Sequence, residues 1–283
     1  MDFGQKRRLT LISCAHIDFG DAFFRGKTDH CDTIVGRTND PDLRQKLELI
    51  TGTNNFIHPY SDHSGRIIFA RKNHRKSTIK SGDAFIIESD SPAQAGIIRT
   101  RDCVPILGEV YGFLLGIHIS NQTEFGYDSR NFKQPITKRV FVELIEYHYG
   151  MDLTNCQVYI GPCIAGIMND GCECYGYTEN HSQRDGTRLL RLIQTHHPDV
   201  NLEGLFFWKD NQDKIYFRWG ALIVEILQSL GIPRKNIHTN YNYCTRCSNG
   251  WWSTRAFNHT TDPGEKALFA EVGPSNLAWI NRQ

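Results

Sequence analysis

Thr100-Arg101-Asp102-Cys103-Val104-Pro105-Ile106-Leu107 is the stretch from which the fold is read. Residues 104–107 form one apolar run, and a second apolar run over 111–119 follows Gly108-Glu109-Val110. Two such runs around a short glycine-containing segment predict a β-hairpin that turns at 108–110. The hairpin folds the chain back on itself and brings Cys103 toward His118, fifteen residues on in Gly116-Ile117-His118. A thiolate and an imidazole in that position suit zinc or an activated cysteine nucleophile. Equally open is a plain reading, with Cys103 as a small buried hydrophobe and His118 as a satisfied strand-end residue.

Toward the N-terminus, Asp62-His63-Ser64-Gly65-Arg66 sets another histidine at a turn before Ile67-Ile68-Phe69. Strands are predicted at about 9–15, 66–70, 83–88, 96–99, 104–107 and 111–119. A helix starts at Asp40-Pro41, an N-cap followed by proline, and turns Leu43, Leu47 and Ile50 inward. Further helices over 135–149, 186–196 and 217–230 alternate with strands at 156–160 and 205–208. Strands in succession, then helices alternating with strands, imply an α+β layered fold rather than a doubly wound sheet. No repeat, low-complexity tract or linker breaks the chain, so residues 1–283 are expected to form one domain. Neither a Gly-x-Gly-x-x-Gly string nor a P-loop is present.

A net charge of +1, with 40% hydrophobic and 22% charged residues, gives no general nucleic-acid footprint. The basic run Arg71-Lys72-Asn73-His74-Arg75-Lys76, with Lys80, reads as a solvated loop. Nine cysteines cannot all pair within one chain, and a chain of this length needs no disulfides, so a reducing, cytoplasmic setting is expected. No apolar stretch approaches the roughly 20 residues that span a bilayer. The apolar residues after Lys6-Arg7-Arg8 are too few for the ~7–15 of a signal peptide. The expected partner is therefore a small molecule, with no nucleic acid and no membrane. Oligomeric state is not encoded in any motif.

Four or five short strings, in order, resemble the YfiH-like laccase-domain family, also called multicopper polyphenol oxidoreductase-like and described as purine nucleoside phosphorylases. They are Ser61-Asp62-His63, Gly82-Asp83-Ala84-Phe85, Thr100-Arg101-Asp102-Cys103-Val104-Pro105 with Ile117-His118, Ile160-Gly161-Pro162, and Tyr243-Cys244-Thr245 with Ser253-Thr254-Arg255. The agreement runs from about residue 60 to 256, with a looser match at Phe24-Arg25. The resemblance implies an α/β/β/α sandwich, with zinc held by His63, Cys103 and His118 and acting on purine nucleosides by phosphorolysis or deamination. It also implies phosphate or substrate binding by Arg255 and Arg25.

The chain departs from the family pattern after the second histidine. Ile119-Ser120-Asn121-Gln122-Thr123 stands where members have Ala-Gly-Trp-Arg-Gly, and Ala256 replaces a second terminal arginine.

Three protein ligands and an open position are the pattern of catalytic zinc, which lowers the pKa of its water to about 7. Asp102 is either an acceptor for a histidine N–H or a solvent-facing turn residue, and Asp83 is expected to orient a strand end. Cys172-x-Cys174 and Cys244-x-x-Cys247 are together sufficient for a second, structural zinc. Copper redox chemistry is disfavoured, because three methionines and no His-x-His pair do not make a copper cluster. Two alternatives remain: a hydrolase or deamidase using Cys103 with His118, and a non-catalytic member with a binding or regulatory role.

Overall fold

A computed structural model describes residues 42–127, 129, 132–169, 172–178, 185–209, 214–248, 251–264, 266 and 275–281, with the backbone alone at 22–25, 46 and 178. The strand predicted at 9–15, the Asp40-Pro41 helix start, Cys14, Cys31 and the Arg25 side chain lie outside the described residues.

Two sheets stack face to face. The five-stranded sheet has the order β1 (Ala22–Arg25), β14 (Asn276–Asn281), β6 (Ala95–Thr100), β2 (Phe56–Tyr60) and β4 (Thr78–Ser81). The six-stranded sheet runs β13 (Ile237–His238), β9 (Gln157–Ile160), β7 (Val104–Val110), β8 (Phe113–Ile119), β5 (Ala84–Ile87) and β3 (Ile67–Ala70). A small third sheet has the order β10 (Gly176–Thr178), β12 (Lys214–Phe217), β11 (Phe206–Lys209).

Side chains alternate across a strand, so each large sheet has two apolar faces to cover. Between the sheets, Ile57, Ile98 and Ile280 meet Phe85, Leu107 and Leu114. On the far side of the five-stranded sheet, Leu43 and Leu47 of helix α1 (Leu43–Thr51) pack on Phe56, Ile97 and Trp279. The far side of the six-stranded sheet buries Ile86, Ile106 and Val158 under a π-helix, Lys138–His148, and helix α4 (Trp219–Ser229). The layers are thus α/β/β/α. Strands covered on both faces read as unbroken apolar runs, which is why β7 and β8 stand out in the sequence. Trp251 is part of the inter-sheet core, and Trp252 is half-buried.

The ring of Phe85 fills the middle layer only because it faces glycines. A Cβ at Gly96 would lie 2.1 Å from that ring, and one at Gly116 2.2 Å.

The hairpin is present, but its turn is displaced from 108–110. β7 continues through Gly108 to Val110, and the chain reverses at Tyr111-Gly112, with φ of 48° and 77°. Two adjacent left-handed residues make the tight connection that matches strand twist. Gly108 serves packing instead, since a Cβ there would meet Leu115 at 2.8 Å and the Gln157 carbonyl at 3.1 Å. The register pairs Val104 with Ile119 and Pro105 with His118, which leaves Cys103 at the strand entrance beside the end of β8. The basic run near residue 71 is a surface turn, where Arg71 meets Glu88 at 3.3 Å.

Candidate metal centre and pocket

His63, Cys103 and His118 converge from three places in the chain. His63 sits exposed in the turn between β2 and β3 with φ of 58°, Cys103 is half-buried, and His118 is buried in β8. Their ligating atoms lie within 4.8 Å of one another. The two imidazoles are stacked, with centroids 5.2 Å apart and planes 2° from parallel. A left-handed non-glycine residue is strained backbone, which persists where surrounding contacts hold it.

The contacts that hold it come from Asp83, fully buried at the entrance of β5. One carboxylate oxygen accepts the His63 amide at 3.1 Å and His118 Nδ1 at 3.1 Å, and the other accepts the Gly65 amide at 2.8 Å. The Asp83 carbonyl also accepts the His118 amide at 2.7 Å. A carboxylate only accepts, so Nδ1 of His118 carries the proton and Nε2 keeps its lone pair for a metal or a proton. Asp83, rather than Asp102, is therefore the residue that orients the His118 ring and holds the His63 backbone. Asp102 accepts from the Thr245 hydroxyl at 2.8 Å and the Arg255 amide at 3.0 Å, tying together two distant loops.

Burial raises the Cys103 thiol, but the charge of His118 and hydrogen bonds from His118 and His63 outweigh it and bring the pKa to about 6. Burial lowers His118, and the Cys103 thiolate and Asp83 reverse this, lifting it to about 10. Near neutral pH the pair is thiolate and imidazolium. Soft sulfur and two imidazoles, each within reach of a common point, are a donor set that fits zinc.

The centre borders two cavities. One, of about 340 Å³, has walls of Tyr127, Tyr175, Tyr177 and Trp219, with Cys103 and His63 at its edge. The other, of about 380 Å³, shares His63 and presents Arg66, Lys133 and Arg139. Of residues 119–123, which replace Ala-Gly-Trp-Arg-Gly, Ile119 ends β8, Ser120 is an N-cap and 121–123 open helix α2 (Asn121–Phe125), capped reciprocally by Ser120 and Thr123. From its first residue, Asn121 hydrogen-bonds the hydroxyls of Tyr175 and Tyr177.

Arg255, at the start of helix α5 (Thr254–His259), donates to the Cys174 carbonyl at 2.9 Å and lies 5.1 Å from the Tyr175 ring centroid. Arg25 lies in β1, on the far sheet. The aromatic walls and the three-cation cavity were not anticipated, because they join residues scattered along the chain. Cys172, Cys174, Cys244 and Cys247 form a second cluster, all sulfurs within 4.8 Å. Each of the seven cysteines among the described residues is free of disulfide bonds.

No protein-family model matches the chain, and no curated protein matches it by sequence. Solved structures do match. The Bacillus licheniformis protein YfiH is similar at TM-score 0.65 and 16% identity, covering 93% of this chain and 92% of that one. YlmD from Geobacillus stearothermophilus gives TM-score 0.65 at 16% identity over 93% and 91%. A Neisseria meningitidis protein assigned to the DUF152 family gives TM-score 0.63 at 13% identity over 93% and 94%. The chain has the YfiH-like fold that its motifs resemble.

Proposed function

We propose that this protein is a zinc-dependent enzyme acting on purine nucleosides, with phosphorolysis favoured over deamination. The observation that carries the reading is one cysteine sulfur and two histidines, with the His118 ring oriented by buried Asp83, at the edge of an aromatic cavity and beside a cationic one. Zinc held by His63, Cys103 and His118 would supply Lewis acidity at that edge.

Tyr175, Tyr177 and Trp219 offer flat apolar faces to a base, and aromatic stacking is sequence-tolerant and strong when desolvated. Asn121 fixes both tyrosine hydroxyls, so the wall is set before substrate enters. Arg66, Lys133 and Arg139 give the second cavity the charge needed for phosphate, and His63 stands between the two chambers. Arg255 braces the aromatic wall through the Cys174 carbonyl and the Tyr175 ring, and is the further candidate for contact with the anion.

The test is a panel of purine nucleosides with and without phosphate, wild type beside Cys103→Ala. Free base released only with phosphate supports phosphorolysis, and ammonia released without phosphate supports deamination. No turnover by fully metallated protein would sink the enzymatic reading and favour a binding role.

The thiol pKa of about 6 favours one second reading, in which Cys103 is the nucleophile and His118 its acid–base partner. Substrate-dependent protection of Cys103 from iodoacetamide in metal-free, active protein distinguishes it.

A further inference from the structure

We propose that Cys172, Cys174, Cys244 and Cys247 form a second zinc site, closed and structural, that fixes the aromatic wall of the pocket. The proposal goes beyond the nucleoside reading and does not depend on it. Two segments some seventy residues apart supply two sulfurs each, with Cys172–Cys244 at 3.3 Å, Cys172–Cys247 at 3.4 Å and Cys174–Cys247 at 3.2 Å. A tetrahedral zinc with Zn–S near 2.3 Å sets its sulfurs about 3.8 Å apart. The observed contacts need only a slight expansion to admit the ion, whereas a disulfide needs about 2.05 Å. All four sulfurs share one small volume, which suits a single ion and not a polynuclear cluster.

The surroundings are those of a metal-bound thiolate. The Ala165 amide donates to Cys244 Sγ at 3.3 Å, from a residue held at φ of 50°. The Cys244 amide in turn donates to Asn169 Oδ1 at 2.6 Å, and Cys244 pairs with Cys163 in a short parallel bridge. Cys174 and Cys244 are buried, and Cys247 is exposed, leaving a side from which an ion enters. Four thiolates complete a tetrahedron, so no position remains for substrate. What the ion holds is clear from the chain: Tyr175 follows Cys174 directly, Tyr177 lies two residues further, and both face the pocket.

The experiment is metal analysis of protein purified without chelator, as wild type, Cys103→Ala and Cys247→Ser. The expected zinc content is two per chain, one and one. Cys103→Ala leaves the four-thiolate cluster intact, so it decides the matter even if Cys247→Ser fails to fold. One zinc retained there, with thiolate-to-metal charge-transfer bands after cobalt substitution, supports the site whether or not any nucleoside is turned over. A Cys103→Ala protein that holds no zinc overturns it. So does a different bound metal, or a mass map with disulfides among the four cysteines.

Discussion

The two sulfur-containing clusters both adjoin one aromatic wall, the first sharing its pocket and the second joined to it where Cys174 precedes Tyr175 in the chain, and they are built on different principles. His63, Cys103 and His118 offer mixed donors, one of them exposed, with a buried carboxylate fixing the ring of His118 and the backbone of His63. Cys172, Cys174, Cys244 and Cys247 offer four identical donors with no carboxylate among their partners in the described residues, braced by the Ala165 amide and Asn169. The first arrangement leaves room for chemistry, and the second satisfies its own coordination. Proximity to a pocket does not by itself separate a catalytic centre from a structural one. Ligand count and orienting contacts do.

The strongest break of this comparison is a crossed pair of substitutions. Cys174→Ser should lower the melting temperature by roughly 10 °C or more, as loss of a structural metal does in a chain of this size. Cys103→Ala should lower it by only a few degrees while cutting nucleoside turnover at least ~100-fold. Thermal melts and initial rates on the same preparations check both halves. Equal thermal losses in the two variants would erase the distinction.

Asp83→Asn comes next. It keeps the shape but removes the charge that two amides and His118 Nδ1 share, so zinc affinity at the His63 centre should fall about 10–100-fold. Competition with a chromophoric chelator measures it, and the four-cysteine zinc should be unaffected. Loss of both ions at the same chelator concentration would contradict the independence of the sites.

In metal-stripped protein the pH dependence sharpens the contrast further. The Cys103 pKa falls from 9.0 to about 6, so its contribution to stability is complete above 9 and is lost as pH drops toward 6. The His118 pKa rises from 6.5 to about 10, so its contribution is complete below 6.5 and is lost as pH climbs through 10. The opposite slopes cancel between 6.5 and 9, giving a plateau that declines on either side. Iodoacetamide should modify Cys103 with a midpoint near pH 6. A midpoint near 9 would mean that His118 does not hold the thiolate.

The legible parts of the sequence were those with local or doubly buried signals. β7 and β8 are apolar throughout because both their faces are covered, and Gly186–His196 forms helix α3 over the residues predicted. β2 was missed because His58-Pro59 interrupts its apolar run, although both residues are buried. β14 was missed because Asn276–Asn281 pairs with β6, some 175 residues earlier, and owes its place to that partner. At the candidate centre, the hairpin's spacing pointed to Cys103 with His118, and His63 joined them only through the family resemblance; the three side chains do converge. Asp83 was visible beside an apolar strand, but its three contacts form only when β2, β5 and β8 come together. The tyrosine wall had no local signal at all.

The smallest expected effect concerns Arg255, which touches both halves of the comparison. Its amide holds Asp102, next to Cys103, and its guanidinium holds the carbonyl of Cys174. The guanidinium also lies 5.9 Å from the Tyr177 ring centroid, so one side chain links the backbone of the four-cysteine cluster to the pocket wall. Arg255→Lys retains the charge but not the planar fork, and should cost about 1 kcal/mol, or roughly 2–4 °C. If the arginine serves the wall alone, nucleoside KM rises and phosphate KM stays within about two-fold. A phosphate KM that rises about ten-fold, the 1.4 kcal/mol of one charge-assisted contact, would assign it to the anion as well. The two KM values therefore separate a brace between the clusters from a residue that also meets the second substrate.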